Sequence, residues 1–340
     1  MNRKIPAESI PADNKRNQPG LLNNEGSRRI IVGPLTRSSG QLTVQTAVQQ
    51  GRIVEAWVIG GVYRGYESIL TGRPLTDAVW ITQRICGICS AAHGLVSSHL
   101  LDQIYGLTVT TNGKLLRNLI LGAEFLQNLL RHFYFLGLPD FVAGLPVFPF
   151  EPPKGSDYRF SPKQTRRLLE HWQESIAVSR KCHELATLLA GKMPHPHGLV
   201  PGGATVNPKT DVLNKFAATL AEVRQFIEAR LLPDTRMLAE TYADYYQLGP
   251  GPGNFLSYGA FPGADLGSQL TWPAGAVIQG ERQNLDLRLI TETHDFSWFK
   301  EDQPAEGPED LLARPEEPAA FKPGAYTWVE TPRYGGVAVE

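Results

Sequence analysis

The sequence has 340 residues, of which 42% are hydrophobic and 20% are charged, enough apolar material for a large buried core. A formal net charge of −1 excludes the basic excess typical of nucleic-acid-binding proteins. No run of about 18 apolar residues predicts a transmembrane segment, and the polar N-terminus lacks the pattern of a secretory signal peptide. We therefore expect a cytoplasmic or peripherally membrane-associated protein that binds no nucleic acid.

The beginning of the chain is predicted to hold an arm and a β-hairpin. Residues 1–29 are polar and contain three prolines, which indicates a mobile N-terminal arm, with folded structure beginning near Ile30. Apolar and polar residues then alternate over 42–59 on both sides of Gln50-Gly51, a pattern typical of two strands joined by a tight turn. We expect a β-hairpin region over residues 30–60.

Helical periodicity dominates residues 61–247, where apolar side chains recur every three or four positions. The predicted helices cover residues 90–105, 112–136, 162–190 and 208–231, followed by a shorter helix that runs to residue 246. Pro233 is expected to end the fourth of these helices. Arg117, Glu124 and Arg131 interrupt the apolar pattern of the second, which indicates a packed core helix rather than a membrane span.

The remaining part of the chain, residues 248–340, is rich in glycine, proline and aromatic residues and is predicted to be loop-rich. Short strands are expected near residues 285–290 and 326–329, and the acidic, proline-rich stretch 300–323 is expected to be an exposed loop. No alternation of strands and helices indicates a parallel sheet, and no glycine-rich phosphate-binding loop follows a strand. The predicted fold is therefore mainly α with small β additions.

The chain has three cysteines, too few for a disulfide framework. Cys182 lies on the apolar stripe of the predicted helix 162–190, so we expect a buried structural thiol there. Cys86 and Cys89 form a C-x-x-C pair, and two cysteines at this spacing can place both sulfurs on one metal. The following helix begins directly after Cys89, so its N-terminal dipole is expected to favour thiolates.

Two further residues flank the pair. Arg84 adds positive charge, and His93 lies one helical turn after Cys89, where it can ligate a metal or hydrogen-bond a sulfur. A bare C-x-x-C is also compatible with half a zinc site, with a redox-active dithiol or with part of an iron–sulfur cluster. Since the sequence holds no second cysteine pair, a metal bound here needs two more ligands from elsewhere.

The pattern R-x-C-G-x-C-x-x-x-H over residues 84–93 resembles the first signature of the large subunit of nickel–iron hydrogenases. The resemblance extends in the same order over residues 30–336. The other matching segments are 64–67, 72–73, 81–84, 132–134 with Asp140, 192–195, 200–203, 254–259, 326–328 and 332–334. It implies a hydrogenase-like helical core and makes residues 30–340 an incomplete large-subunit domain.

The resemblance also implies a chemistry, the reversible oxidation of dihydrogen to protons and electrons. Cys86 would be a nickel ligand, Cys89 would bridge nickel and iron, and Glu67 would bind magnesium. Arg84 and His93 would flank the cofactor. The iron would carry carbon monoxide and cyanide, and the electrons would pass to iron–sulfur clusters held only by a partner small subunit.

The sequence departs from the family pattern in several places. The family's second cysteine pair, D-P-C-x-x-C-x-x-H, is absent, so we expect a separate C-terminal large-subunit fragment to supply it. Ser39 stands where the family has a glutamate that relays protons, and Asn128-Leu129 stand where it has Asp-His. Ser39 and Asn128 are therefore candidate catalytic residues with an altered route for protons.

A second interpretation is a catalytically inactive, scaffold-like subunit of an electron-transfer complex. The quinone-site subunit of respiratory complex I uses the same fold and lacks the cysteines. A scaffold has no need of two thiolates beside a helix N-terminus, so the C-x-x-C pair favours the enzyme.

Overall fold

The computed structural model describes residues 27–35, 37–38, 40–144, 156–248, 250–263, 271–300, 319 and 322–340. The chain divides into two compact units, one drawn from residues 1–64 and 287–338 and the other from residues 65–286 and 339–340. Within the described ranges, no helix is both long enough and apolar enough to cross a bilayer.

The second unit is helical, and the prediction of a mainly α fold with small β additions is confirmed. Its helices are α1 (Tyr66–Leu70), α2 (Asp77–Thr82), α3 (Ser90–Ile104), α4 (Thr111–Arg131), α5 (Pro162–Ala190), α6 (Thr210–Phe226) and α7 (Leu232–Thr241). Local chemistry explains the ends of the longest one. Ser161 and Gln164 form a capping box at the start of α5, and Gly191, with φ of 79°, follows its last residue.

Two of the predicted helices change pitch before they end. α4 stops at Arg131, and the chain continues as a π-helical segment, His132–Gly137. A second π-helical segment, Ile227–Leu231, joins α6 to α7. The prediction that Pro233 ends the helix was wrong, because Pro233 lies in the first turn of α7, where its missing N–H group costs no hydrogen bond.

The core of this unit lies where α4 packs along α5. It is built mainly from aliphatic side chains that solvent does not reach, together with the ring of Tyr134 and the thiol of Cys182. The fully buried members include Ile120, Leu130, Leu168, Leu185 and Leu189.

The strands are short, apart from one hairpin. They are β1 (Arg28–Val32), β2 (Leu42–Gln49), β3 (Arg52–Gly60), β4 (Leu199–Val200), β5 (Gly203–Ala204), β6 (Phe255–Ser257), β7 (Gly275–Ile278), β8 (Glu281–Gln283), β9 (Ile290–Thr293), β10 (Thr331–Tyr334) and β11 (Val337–Ala338). The first unit holds the antiparallel sheets β1-β2-β3 and β9-β10-β11, and the second holds β4-β5 and β6-β7-β8.

The hairpin of β2 and β3 lies where alternation places it. Gln50 and Gly51 both have positive φ, 50° and 76°, as a two-residue type I′ turn requires. Strand β1 includes Arg28 and Arg29, which the prediction placed in the N-terminal arm, because they pair with Val48 and Ala47 of β2. The rest of the predicted N-terminal arm lies outside the described residues.

The late strands lie slightly further along the chain than predicted. β9 begins at Ile290 and β10 at Thr331, about where the expected strands at 285–290 and 326–329 end. Most of the predicted acidic loop, 300–323, lies outside the described residues.

A buried ion pair ties α3 to α4. Arg117, which is 2% exposed, donates to the Asp102 carboxylate at 2.6 Å and to the carbonyl oxygens of Gly203 and Val200 at 2.9 and 2.6 Å. The same carboxylate accepts from the Gly202 N–H group at 2.6 Å. One side chain therefore connects two helices with the β4-β5 turn.

Replacement of Arg117 by leucine should destabilise the protein by about 3–5 kcal/mol, since it leaves the Asp102 charge buried without its partner. The measurement is chemical unfolding of the purified protein. Arg224→Leu serves as the control. It removes an exposed ion pair between Arg224 of α6 and Glu228 and should change stability little. Equal losses in the two variants would contradict this assignment.

Candidate metal centre

The C-x-x-C pair occupies the connection between α2 and α3. α2 ends at Thr82, and α3 begins at Ser90, so Cys89 is the N-cap residue of α3. The sulfur atoms of Cys86 and Cys89 are joined in a disulfide, with their Cα atoms 5.4 Å apart. The Cys89 N–H group donates to the Cys86 sulfur at 3.1 Å. In the reduced pair, the same C-x-x-C spacing can direct two sulfurs at one metal centre.

The start of α3 is capped from another helix. The N–H groups of Ala91 and Ala92 donate to the two oxygens of Glu124 on α4, at 2.7 and 2.9 Å. Glu124 is 2% exposed, and this burial raises its pKa, while hydrogen bonds from Ala91, Ala92 and Ser90 oppose the rise. The positive end of α3 therefore faces the Glu124 carboxylate as well as the cysteines. The sequence alone predicts only the effect of the helix dipole on the cysteines.

Sequence reasoning misses the role of Glu124, which periodicity marks only as an interruption of an apolar stripe. The available signal is a lone acidic residue at a position where the stripe demands burial, since a buried carboxylate needs donors. Asn128, one turn later on α4, donates from Nδ2 to the Ile88 carbonyl oxygen at 3.3 Å. The structure thus brings Asn128 to the turn between the two cysteines.

A loop that follows α5 also contacts this segment. The His195 N–H group donates to the Ser90 hydroxyl at 2.8 Å, and its Nδ1 lies 3.0 Å from the Gln83 carbonyl oxygen. Gln83 is fully buried and donates from Nε2 to the Pro196 carbonyl oxygen at 3.1 Å. Burial, followed by the positive charge of Arg84, lowers the pKa of His195.

The two residues predicted to flank the cofactor lie on either side of the pair. Arg84 is exposed and donates to the Trp80 carbonyl oxygen at 2.7 Å, back along α2. His93 lies in the first turn of α3, where its N–H group donates to the Cys89 carbonyl oxygen at 3.3 Å. Their contributions to a cofactor site stay predictions.

Glu67, the predicted magnesium ligand, lies in the first turn of α1. Its Oε2 atom is shielded from solvent and has no hydrogen-bond partner within the described part of the chain. A shielded carboxylate oxygen of this kind suits a hard cation such as Mg²⁺. Ser39, the other predicted site residue, lies outside the described residues.

An apolar cavity of about 320 Å³ opens beside α4. Apolar side chains of α4, α5 and α6 line it, with two aromatic residues of the following loops. The residues that line it include Leu119, Leu126, Leu185, Phe216, Phe261 and Trp272. The cavity is suited to a small apolar molecule, since almost no polar atom faces it.

Comparison with known proteins decides the family. The sequence model described as "Nickel-dependent hydrogenase" matches residues 64–157 and 154–340. The chain belongs to the nickel-dependent hydrogenase family. The resemblance inferred from the motifs is thereby confirmed.

Individual relatives agree with this assignment. The periplasmic [NiFeSe] hydrogenase large subunit of Desulfomicrobium baculatum is 36% identical over 323 residues, which cover 91% of this chain and 62% of the relative. The hydrogenase-1 large chain of Escherichia coli (strain K12) is 26% identical and is covered to 67%.

Solved structures confirm the hydrogenase-like helical core. The Ni-Fe-Se hydrogenase from D. vulgaris Hildenborough superposes with a TM-score of 0.87 at 38% identity, over 93% of this chain and 65% of the matched chain. The chain therefore spans less than two thirds of the length of these selenium-containing relatives.

The residues present fit the metals that the family implies. Soft sulfur ligands suit nickel and iron, and Cys86 and Cys89 supply two of them side by side. The Sγ of Cys89 makes no capping hydrogen bond to α3, so the helix does not compete for it. Two sulfurs alone do not complete a coordination shell.

Cys182 takes no part in this arrangement. It is fully buried on α5 within the hydrophobic core, as the sequence predicts. Burial, against a smaller opposing effect of the Arg131 charge, raises the pKa of Cys182 to about 12. A thiol with that pKa is neutral at physiological pH and is a poor nucleophile.

Iodoacetamide at pH 8 should leave Cys182 unmodified in the native protein, because the thiol is neither ionised nor accessible. Mass spectrometry of tryptic peptides measures the labelling. The same protein in denaturant provides the control, in which Cys182 should be alkylated readily. Labelling at similar rates in both conditions would contradict the buried assignment.

Proposed function

We propose that this chain is a large-subunit component of a nickel–iron hydrogenase, which catalyses the reversible oxidation of dihydrogen to protons and electrons. The observation that carries the proposal is the paired sulfurs of Cys86 and Cys89 at the start of α3, in a chain of the nickel-dependent hydrogenase family. When bound, a nickel–iron centre supplies the heterolytic splitting of dihydrogen.

The proposal assigns a role to each of three site residues. Cys86 would hold nickel, and Cys89 would hold both nickel and iron. In the reduced pair, the hydrogen bond from the Cys89 N–H group to the Cys86 sulfur would favour the thiolate form that a metal requires. Glu67 offers its shielded oxygen to magnesium. Carbon monoxide and cyanide complete the iron and do not come from the protein.

Further components complete the proposed enzyme. Two more sulfur ligands are proposed to come from a second C-x-x-C pair, which is not among these 340 residues. An iron–sulfur small subunit accepts the electrons. Dihydrogen is small and apolar, and the apolar cavity beside α4 has room for such a molecule.

Replacement of either cysteine by serine should abolish stable binding of nickel and iron, because a hard hydroxyl is a poor substitute for a soft thiolate. The measurement is nickel and iron content of the purified complex by mass spectrometry. Cys182→Ala is the matched control and should keep both metals. Unchanged metal content in Cys86→Ser and Cys89→Ser would overturn the proposed centre.

Proton transfer is proposed to bypass position 39, since a serine hydroxyl does not titrate near neutral pH and is a weak proton acceptor. Ser39→Ala should then be nearly silent in hydrogen–deuterium exchange activity, compared at matched metal occupancy. Ser39→Glu should raise the activity if the pocket admits the longer side chain.

The neighbouring Ser38→Ala, whose hydroxyl donates to the carbonyl oxygens of Leu35 and Gly40, controls for disturbance of the loop. A large loss of exchange activity in Ser39→Ala alone would instead make Ser39 the relay.

A further inference from the structure

One face of α4 contacts the C-x-x-C segment at two points. Glu124 and Asn128 are four residues apart, so their side chains project from the same face of the helix. Glu124 binds the N–H groups of Ala91 and Ala92, just after the pair, and Asn128 binds the Ile88 carbonyl oxygen, between the two cysteines. Cys89 therefore lies between two fixed points of the backbone.

The Glu124 contact uses both oxygens of a carboxylate. Ala91 donates to Oε1 and Ala92 to Oε2, and the residues around them are buried, with Ser90 and Ala91 at 0% exposure. An amide in the same place offers one acceptor oxygen and turns an N–H₂ group toward the second donor. The site is thus specific for a carboxylate.

Glu124 of α4 caps α3 in place of the N-cap residue, Cys89. The N-cap residue of a helix ordinarily uses its own side chain to accept from the N–H groups of the first turn. Cys89 occupies that position and makes no such bond. Since Glu124 satisfies the N–H groups of the second and third helical residues, helix capping makes no demand on the Cys89 sulfur.

The opposite side of the segment is fixed as well. The Ser90 hydroxyl accepts from the His195 N–H group at 2.8 Å. Gly94, one turn into α3, packs so closely on Gln83 that a Cβ atom there would lie 2.7 Å from the Gln83 amide nitrogen. Movement of α3 is therefore opposed both by hydrogen bonds and by packing.

We propose that Glu124 is a positioning residue for the metal centre, which caps α3 in place of Cys89 and, together with Asn128, holds the two sulfurs in register. This inference rests on the proposed function, because it assigns the freed Cys89 sulfur to a metal. The claim that Glu124 caps α3 concerns only the backbone of residues 89–93, and it can be tested without any metal.

The experiment compares the purified wild-type complex with Glu124→Leu, Glu124→Gln and a control. Asp234→Asn is the control, because Asp234 is also a fully buried carboxylate with polar partners. It contacts the hydroxyl of Tyr134 at 2.9 Å, Nδ1 of His171 at 2.7 Å and the Arg167 guanidinium at 3.5 Å. The readouts are amide hydrogen exchange of peptides that cover residues 89–93, and nickel and iron content.

We expect amide exchange of Ala91 and Ala92 to rise about tenfold or more in Glu124→Leu, the fold-change that loss of a buried hydrogen bond produces. Glu124→Gln should be intermediate, since its single acceptor oxygen restores one of the two bonds. Metal affinity should fall by about 10- to 100-fold in Glu124→Leu. Asp234→Asn should lower the unfolding temperature while leaving the 89–93 amides and the metal content unchanged.

The outcomes separate the two proposals. Unchanged exchange of residues 89–93 in Glu124→Leu would overturn the inference whatever the metal content. Faster exchange with undiminished nickel and iron would also overturn it, since the cap would then not serve the metal. A wild-type complex without nickel and iron would refute the proposed function and, with it, the metal-positioning role, while exchange would still measure the cap itself.

Discussion

Buried charge on α4 is the constraint on which the helical unit depends. Arg117 and Glu124 are each 2% exposed, and a buried charge is tolerated only when hydrogen-bond partners surround it. Arg117 finds its partners on α3 and in the β4-β5 turn, and Glu124 finds its partners at the start of α3. Because both ends of α3 are bonded to α4, the two helices have a single register.

That register has a direct chemical consequence. Cys89, the N-cap residue of α3, does not cap the helix with its own side chain. Its sulfur is bonded to that of Cys86, three residues earlier. Metal sites need ligands that are held in place before the metal binds, because ordering a mobile ligand costs free energy and weakens metal binding. In this chain the Glu124 carboxylate supplies the order through the peptide groups of Ala91 and Ala92, without a hydrogen bond to either sulfur.

Periodicity and motifs are enough to predict the long helices, the first hairpin and the family, because each depends on residues close together in sequence. The π-helical segments and the place of Pro233 could not be predicted, because apolar periodicity does not separate π from α pitch and a proline can either end a helix or lie in its first turn. The position of Glu124 in an apolar stripe signals a buried carboxylate, but its partner could not be predicted. Ala91 lies 33 residues away and bonds through its backbone, so its residue type gives no indication of the contact. The cysteine pair, by contrast, is visible in the sequence because its ligands are side chains at a fixed spacing.

The most direct test of the central claim is nickel K-edge X-ray absorption of the purified complex, wild type against Cys86→Ser. The account predicts sulfur in the first coordination shell of nickel in the wild type. It predicts that any nickel retained by the variant has one sulfur fewer, replaced by oxygen. A nickel shell of nitrogen and oxygen alone in the wild type, or an identical sulfur count in both proteins, would contradict the claim that Cys86 binds nickel.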